Sequence, residues 1–546
     1  MTTPPTTRTA TDAGSEHGSD RAVAELLALA DDAVALADRW AAATEAGQTK
    51  KEAATTGQLA SLLSDQAGLD LAVRFVDKVV RPEDRAVAAK ELASLSASDA
   101  AFLGTVDKTL LRAGALAARV APGVVVPVAR ARMRQMVGHL LVDSRDPALG
   151  KHLAAAREEG FRLNINLLGE AVLGEDEAAT RTERTRQLLE RADVDYVSIK
   201  VSSLVSQIVT WDTEGTVARC LERLRPLYRV AAQSSPRKFV NLDMEEYRDL
   251  DLTLEVFEQM LSEPEFADLE AGIVLQAYLP DALPAMERLI DFARRRRAAG
   301  GAGIKIRLVK GANLAMEQVE AQLHDWEQAP YGSKPEVDAN YLRCVERALR
   351  EDAVEAGVRI GVASHNLYDV ASAHLLAERR GVSAALDVEM LQGMSPSQAR
   401  AVRDTVGTVI LYTPVVDPRD FDAAVSYLVR RLEENASPEN FLHAFFAEGD
   451  PAAMPDQEMR YRRSITDIPA TSVGPRRVAR RAEIGETFHG TPDSDPALPV
   501  NREWAARAVA AGAPTLTSPH LASVEAVDEV VDRAKGAHAG WAGRPA

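Results

Sequence analysis

Cysteine is scarce in this 546-residue chain, which holds only Cys220 and Cys344. Two isolated thiols exclude a disulfide scaffold and a cysteine-rich zinc or iron–sulfur centre. No apolar run reaches the roughly 18 residues that a membrane-spanning helix needs. Basic residues are in the minority, because 64 Lys and Arg face 81 Asp and Glu. The net charge of −17 disfavours nucleic-acid binding, since the phosphate backbone repels an acidic protein.

The common signatures of nucleotide, zinc and serine-hydrolase chemistry are also missing. The chain has no GxGxxG after a predicted strand and no GxxxxGK[ST], HExxH or GxSxG. We therefore expect neither a metal site nor a nucleic-acid partner. Residues 1–20 are polar and lack the apolar stretch of a signal peptide. We expect this segment to be a disordered tail on a cytoplasmic protein.

The composition changes several times along the chain and predicts a division into domains. Residues 21–150 repeat apolar side chains at spacings of three and four, which predicts a helical arm domain. Residues 151–445 alternate short apolar runs with helical stretches, and residues 446–500 are rich in Pro, Asp and Arg, as in a linker. Residues 501–546 predict one or two helices and then stop, as in a truncated further domain.

Eight apolar or β-branched runs within residues 151–445 predict eight strands. They are FRLNINLLGEAVL, DYVSIKV, KFVNLDM, GIVLQAY, GIKIRLVKGA, RIGVASHN, SAALDVEML and TVILYTPV. Each run is followed by enough residues for the helical crossover that parallel strands require. Eight such units in about 250 residues favour an α/β fold with a TIM-like (β/α)8 barrel. An open doubly wound sheet is the weaker alternative.

Polar residues end seven of the eight predicted strands, at the edge where barrel enzymes place their chemistry. They are Lys200, Asp243, Gln276, Arg307 with Lys310, Ser364-His365-Asn366, Glu389 and Tyr412. Each one alone is more often a satisfied polar cap than a ligand. The agreement of seven strands nevertheless indicates a site.

A second cluster follows the last strand, in the sequence DAAVSYLVRRLEEN. Tyr427, Arg430, Arg431 and Glu434 lie on one face of the predicted helix. One interpretation is a surface stripe with an Arg430–Glu434 ion pair. However, adjacent guanidiniums repel each other unless an anion lies between them, so the face also suits a carboxylate ligand. The run Arg294–Arg297 is expected to be an ordinary solvated helix face.

The pieces KVSSL, NLDMEE, IVLQAY, RLVKGA, ASHN, EMLQGM, YTPV and YLVRRLEEN occur in an order that resembles proline dehydrogenase. More specifically, the chain resembles the proline dehydrogenase half of bifunctional bacterial proline utilisation A proteins. Residues 501–546 resemble the opening of their aldehyde dehydrogenase domain. The resemblance implies a distorted (β/α)8 barrel that holds FAD. It implies oxidation of L-proline to 1-pyrroline-5-carboxylate, the first step of proline degradation to glutamate. Hydride would pass from proline C5 to FAD, and the electrons would then pass to a quinone.

The same resemblance implies roles for particular residues. Asp243 would orient a cationic cluster by ion pairing, and Arg307 would lie against flavin N5. Substrate contacts are implied for Lys200, Leu391, Tyr412, Tyr427, Arg430 and Arg431. Cofactor contacts are implied for Met244, Gln276, Arg307, Val309, Lys310, Gly311, Ala312, Ser333, Lys334, Ser364, His365, Asn366 and Glu434.

Two positions depart from the long members of the family. Asn313 stands where many of them carry an aromatic residue, and Glu389 stands where others often have Gln. The resemblance therefore does not settle which residue forms this part of the substrate or flavin wall. It also does not settle whether Glu389 makes the flavin hydrogen bond expected of Gln.

Two other functions are kept as alternatives. Pyrroline-5-carboxylate (aldehyde) dehydrogenase chemistry needs a nucleophilic Cys in a domain beyond residue 500, whereas both cysteines lie in the predicted barrel. A non-catalytic barrel scaffold is the other alternative. The expected partners are L-proline and a quinone, with transient contact at the inner face of the cell membrane because quinones dissolve in lipid. The oligomeric state is left open, a homo-oligomer included.

Overall fold

The computed structural model describes most of the chain. The described residues are 22–53, 66–80, 82, 84–95, 105–118, 120–137, 140–169, 171–418, 424, 427, 439–446, 452–479, 491–512 and 520–544. They divide into two units between Leu498 and Pro499. The predicted tail of residues 1–20 lies outside the described residues.

A closed sheet of eight parallel strands forms the centre of the first unit. In chain order the strands are β1 Arg162–Leu167, β2 Tyr196–Lys200, β3 Phe239–Asp243, β4 Ala271–Gln276, β5 Ile304–Val309, β6 Val358–Ala363, β7 Leu386–Leu391 and β8 Val409–Val416. Each strand pairs with the next, and β8 closes on β1 with Ile410 opposite Arg162. The two-residue strand Val142–Asp143 pairs with β8 as well. Each of the eight strands lies within a predicted run or extends at most one residue beyond it, so the (β/α)8 barrel is confirmed and the doubly wound sheet is excluded.

Helices cover the outside of the barrel and connect its strands. Those of the barrel region are Ala148–Glu158, Glu175–Glu190, Val201–Leu204, Thr213–Gln233, Leu250–Ser262, Ala282–Ala298, Leu314–His324, Lys334–Ala348, Glu351–Glu355, Leu367–Arg379, Pro396–Val406 and Phe441–Phe446. Local sequence explains several of the starts. Asp212 caps one helix by accepting a hydrogen bond from the Gly215 N–H, and Asn366 accepts from the Tyr368 N–H in the same way. None of the described helices combines the length and apolar character that crossing a bilayer demands.

Several polar residues are buried within the strands of the barrel, although most of the sheet is apolar. All six residues of β4 are buried, as expected for a strand covered on both faces. Four polar residues of other strands are also almost completely buried, namely Asn166, Asn241, Lys305 and Glu389. Polar groups at such depth need partners inside the barrel, and those partners build the site.

The described N-terminal residues are helical, which confirms the helical arm. The helices are Ala30–Ala46, Gln66–Phe75, Arg85–Leu95, Thr105–Ala118 and Pro122–Val137, with one π-helical turn at Val76–Val80. The first of them packs on the barrel helices that follow β6 and β7, and Trp40 donates from Nε1 to Thr405 Oγ1 at 2.8 Å. The later arm helices share a small apolar cluster of their own that includes Leu71, Leu92 and Val126. The boundary at residue 150 stays a prediction.

The predicted linker, residues 446–500, contains a helix at Ala453–Thr466 that belongs to the outer layer of the barrel. Tyr461 lies 2.5 Å from Ser372 through their hydroxyl oxygens, and its ring stacks on Tyr368. The composition of this segment did not indicate the helix, whose buried face includes Tyr461 and Ile465. The bounds of the linker stay a prediction. In the second unit, Pro499–Ala510 and Val524–Ala542 are helices, in line with the one or two helices expected there.

The arginine run Arg294–Arg297 is not uniformly solvated. Arg296 is only 8% exposed, and its guanidinium donates to backbone carbonyl oxygens of Phe266, Ala267, Leu269 and Ala302 at 2.7–3.0 Å. The expectation of a solvated face is wrong for this residue. The cause is that the end of the helix covers a turn whose carbonyls have no partner in regular secondary structure.

Candidate functional site

A cavity of about 930 Å³ opens at the C-terminal ends of the strands. Its wall contains every described residue that the sequence predicted for the site. These are Lys200, Asp243, Met244, Gln276, Arg307, Val309, Lys310, Gly311, Ala312, Ser333, Lys334, Ser364, His365, Asn366, Leu391, Tyr412 and Tyr427. The other three predicted residues, Arg430, Arg431 and Glu434, lie outside the described residues.

Asp243 ends β3 and is held by hydrogen bonds from three neighbouring side chains. Its Oδ2 accepts from the Tyr412 hydroxyl at 2.8 Å and from Asn166 Nδ2 at 3.0 Å. Its Oδ1 accepts from Asn241 Nδ2 at 3.0 Å. Burial raises the pKa of Tyr412 well above its ordinary value, and the Asp243 carboxylate adds to this. Tyr412 therefore acts as a neutral donor that keeps the carboxylate in place.

Lys200, at the end of β2, pairs with Glu245 rather than with Asp243. Its Nζ lies 2.9 Å from Glu245 Oε1, and both side chains are about one-fifth exposed to the cavity. The backbone oxygen of Glu245 accepts from Gln276 Nε2 at 3.1 Å and from Asn313 Nδ2 at 2.9 Å. Asn313 thus anchors the loop after β3. The sequence showed Glu245 beyond the strand but did not indicate this pairing.

Arg307, on β5, pairs with Glu389, on β7. Arg307 Nε donates to Glu389 Oε2 at 2.7 Å, and its Cζ lies 4.6 Å from the centroid of the Tyr412 ring. Burial alone would lower the pKa of Arg307, but Glu389 and Asp243 outweigh burial, and the pKa is raised. The site therefore keeps a permanent positive charge at this point of its wall.

Two lysines of the cavity wall form a second charged cluster with two aspartates behind it. Lys310 Nζ lies 2.6 Å from Asp338 Oδ1 and 2.7 Å from Asp369 Oδ2, and Lys334 Nζ lies 2.5 Å from Asp338 Oδ1. Burial opposes the charge of Lys310, but the two carboxylates outweigh it and raise its pKa. Burial and the nearby Lys310 lower the pKa of Lys334. Sequence reasoning missed both aspartates, although Asp338 follows Lys334 at the helical spacing of four.

His365, after β6, ties the ends of two strands together. Its Nε2 accepts from the Leu391 N–H at 3.0 Å, and its Nδ1 lies 2.8 Å from Gln398 Oε1. Since one ring nitrogen accepts, the neutral tautomer with the proton on Nδ1 satisfies both contacts. The Gln398 amide also donates to the His365 carbonyl at 3.1 Å. This arrangement fixes the imidazole against the wall instead of leaving it free as a base.

Gly311 lets the backbone after β5 pass close to an aromatic ring. Its φ is +132°, and a Cβ at this position would lie 2.4 Å from the Tyr278 ring. The Tyr278 N–H donates to the Lys310 carbonyl at 2.7 Å, which holds the two segments together. Only glycine allows this approach.

A closed parallel barrel with a charged cavity at the C-terminal ends of its strands defines the class of α/β-barrel enzymes. The family model described as proline dehydrogenase matches residues 149–444, which is more than half of the chain. The chain therefore belongs to the proline dehydrogenase family, and the resemblance of its motifs is confirmed.

Named relatives are bifunctional and single-function proteins of this family. The chain is 29% identical over 316 residues to the bifunctional protein PutA of Escherichia coli (strain K12). This match covers 54% of this chain and 23% of the relative. It is 28% identical over 331 residues to the proline dehydrogenase of Deinococcus radiodurans, covering 60% of this chain and 93% of the relative.

Solved structures of proline utilisation A show the same architecture. The protein from Corynebacterium freiburgense matches with a TM-score of 0.64 and 53% identity, covering 74% of this chain and 39% of that one. The protein from Bdellovibrio bacteriovorus, inactivated by N-propargylglycine, matches with a TM-score of 0.70 and 27% identity, covering 88% and 48%. The chain thus spans about a quarter of the curated bifunctional relatives and less than half of these solved chains.

Proposed function

We propose that this chain oxidises L-proline to 1-pyrroline-5-carboxylate with FAD bound in the barrel cavity. The observation that carries the proposal is the cavity itself, whose wall gathers every described residue that the motifs predicted. The cavity also lies inside the segment that matches the proline dehydrogenase family.

The residues of the cavity fit a flavin nucleotide. Lys310 and Lys334 line the cavity and carry ammonium N–H donors for a diphosphate, while Asp338 and Asp369 hold these side chains in place. Gln276 Oε1 is buried and has no hydrogen-bond partner among the described residues, so it can accept from an N–H of a ring. The missing side chain of Gly311 leaves room beside the Tyr278 ring. FAD, when bound, supplies the two-electron acceptor.

The residues assigned to FAD are those predicted from the family motifs. They are Met244, Gln276, Arg307, Val309, Lys310, Gly311, Ala312, Ser333, Lys334, Ser364, His365, Asn366 and Glu434. All but the last of them line the cavity in the described part of the chain.

On the substrate side, Lys200 with Arg430 and Arg431 would bind the proline carboxylate, and Leu391, Tyr412 and Tyr427 would line the ring. Fixing the substrate in this way is positioning, which lowers the barrier by removing orientational freedom. Nearby cations also favour loss of the proton from the substrate nitrogen, and the amine must be neutral to be oxidised. The Arg307 guanidinium would stabilise the negative charge that arises in the cavity when the acceptor takes up two electrons from the substrate.

We further infer that a quinone takes the electrons from the protein, with transient contact at the inner face of the cell membrane. A quinone dissolved in lipid requires such contact. Comparing turnover with a water-soluble quinone, with quinone in vesicles and with oxygen tests this step; equal turnover with oxygen would remove the need for a membrane acceptor.

The direct test is the visible spectrum of the purified chain. Bound flavin gives a yellow protein, and L-proline should bleach it under anaerobic conditions while a control without proline stays yellow. A colourless protein that FAD cannot reconstitute would instead support a non-catalytic scaffold.

The roles of the two adjacent arginines are tested by Arg430→Ala and Arg431→Ala. We expect a large rise in KM for proline with little loss of flavin, because these residues are assigned to the carboxylate. Arg294→Ala, on an exposed helix end, is the matched control that removes one surface guanidinium. Loss of flavin with unchanged proline affinity would reverse the assignment.

A further inference from the structure

Glu389, in the cavity wall, and Lys305, behind that wall, form a buried pair that the mechanism above does not use. On β7, Glu389 places one carboxylate oxygen on each of two cations of β5. Its Oε1 lies 2.6 Å from Lys305 Nζ, and its Oε2 lies 2.7 Å from Arg307 Nε. Lys305 Nζ also lies 2.8 Å from Asp387 Oδ2. One carboxylate is thus shared between the cavity-wall arginine and a lysine behind it.

Burial makes Glu389 and Lys305 depend on each other. The side chain of Lys305 is 1% exposed and that of Glu389 is 0% exposed. A buried charge that loses a partner is strongly unfavourable. Removing Lys305 leaves Glu389 with Arg307 alone, and removing Glu389 leaves Lys305 with Asp387 alone, so each removal takes away one of two partners. The Lys305 ammonium also lies 5.2 Å from the Tyr196 ring centroid, which adds a favourable cation–π contact. Lys305 is absent from the cavity wall, whereas Arg307 and Glu389 line it. Lys305 can therefore affect a ligand only through its neighbours.

Gly361, on the intervening strand β6, provides the space for this pair. A Cβ at position 361 would lie 2.4 Å from Glu389 Oε1 and 2.7 Å from Lys305 Cε. Its φ is unremarkable, so the glycine is explained by space rather than by backbone conformation. Three adjacent strands therefore form one arrangement: β5 contributes Lys305, β7 contributes Glu389, and Gly361 of β6 leaves the space in which the two side chains meet.

The arrangement holds Arg307 from behind. The guanidinium contacts Glu389 through Nε, and its Cζ lies 4.6 Å from the centroid of the Tyr412 ring. Within the part of the chain that the structure describes, its two terminal nitrogens donate no hydrogen bond. The side chain is 12% exposed. Contact at Nε alone leaves the terminal N–H groups to meet whatever occupies the cavity.

We propose that Lys305 and Glu389 are a positioning pair that fixes the Arg307 guanidinium at the flavin site and sets the local charge there. The proposal rests on the proposed function, because it assigns Arg307 to the cofactor. Lys305 balances the carboxylate, and the carboxylate aims the arginine. A Glu at position 389 is then tolerated because a Lys stands at position 305.

Charge and position can be separated with four variants. Glu389→Gln removes a negative charge and should raise the reduction potential of bound flavin, because the more positive site favours the electron-rich reduced form. Lys305→Met removes a positive charge and should lower that potential. The double variant should return close to the wild-type value. We expect each single change to shift the redox equilibrium about tenfold, which is about 30 mV for a two-electron couple.

Glu389→Asp keeps the charge but withdraws the carboxylate by one methylene. The potential should then stay near that of the wild type, whereas kcat should fall about tenfold and KM should change little, because a small displacement of a positioned group is costly. Glu270→Gln is the control for the loss of one carboxylate, since Glu270 pairs with Arg359 just before β4, at the other end of the strands. It should leave the potential unchanged.

The outcomes distinguish this inference from the proposed function. Suppose that the wild type is yellow and is reduced by proline, but that both single variants shift the flavin potential in the same direction or not at all. This result would overturn the positioning pair and leave the function intact. A wild type that binds no flavin would overturn the function. The pair is then tested by the thermal midpoints, where each single variant should unfold earlier and the double should recover; additive losses would refute the coupling. Failure of both single variants to fold, with a folded double variant, supports the pair as well.

Discussion

The hydroxyl of Tyr412, on β8, donates to Oδ2 of Asp243, on β3, at 2.8 Å across the mouth of the barrel. The ring of the same tyrosine lies under the guanidinium of Arg307. One side chain therefore connects the carboxylate assigned to the substrate side with the cation assigned to the cofactor side. A change at Tyr412 should affect both.

Replacing Tyr412 with Phe should raise KM for proline severalfold and lower the free energy of unfolding by about 1 kcal/mol, because a buried acceptor loses a donor. Steady-state kinetics and denaturant unfolding measure the two effects. Tyr228→Phe is the matched control, because the Tyr228 hydroxyl is buried without a hydrogen-bond partner among the described residues. Equal loss of stability in both variants would contradict a specific role of the Tyr412 hydroxyl.

Gly311→Ala should remove flavin binding or weaken it strongly. The backbone conformation is unfavourable for alanine, and the added methyl group would overlap the Tyr278 ring. The flavin-to-protein ratio after gel filtration measures this effect. Gly114→Ala is the control, since Gly114 lies inside the arm helix Thr105–Ala118 and its nearest neighbour would be 3.8 Å away. That variant should keep its flavin and gain helix stability of about 0.5–1 kcal/mol.

Asp249 should make the protein less stable as the pH rises from about 4 to about 7. Burial raises its pKa from the ordinary 3.8 to about 7, so in this window the native state holds a proton that the unfolded state has released. Stability therefore falls through the window and levels off above it. Asp249→Asn should remove up to about 1.4 kcal/mol of that loss per pH unit, as measured by urea unfolding at several pH values. A constant difference between variant and wild type from pH 4.5 to 8 would show that the carboxyl titrates normally.

The two cysteines should be unreactive in the folded protein. Both are buried, and burial raises the pKa of each thiol to about 12. A thiol reagent at pH 8 should find no fast-reacting group and leave proline oxidation intact, and both thiols should react after denaturation. Oxidation of glutamate semialdehyde with NAD that a thiol reagent abolishes would favour the aldehyde dehydrogenase alternative for this chain.

The eight strands and the cavity residues at their ends could be predicted, because apolar runs and the polar residues that follow them are local patterns. The partners of those residues could not. Arg307 and Glu389 are 82 positions apart, and nothing near either one indicates the other. The pairing of Lys200 with Glu245 instead of Asp243 depends in the same way on the path of a loop.

Arg296 shows a second reason why prediction fails. In the sequence it is one of four equivalent arginines, and only the turn below the helix end makes it different. The helix Ala453–Thr466 was missed because many Pro and Asp residues surround it, whereas its buried face is set by contact with the barrel. Local composition describes a segment, but the neighbouring surface decides whether it is buried.

The pairing of Ile410 with Arg162 closes the barrel between its last and its first strand. During translation seven strands leave the ribosome before the one that seals the circle, and until it arrives the nascent sheet has two unprotected edges. A chain that ends before residue 409 would contain seven of the eight strands, and we expect it to aggregate through its open edges instead of forming a smaller working enzyme. The barrel can therefore close only after its last strand has been made.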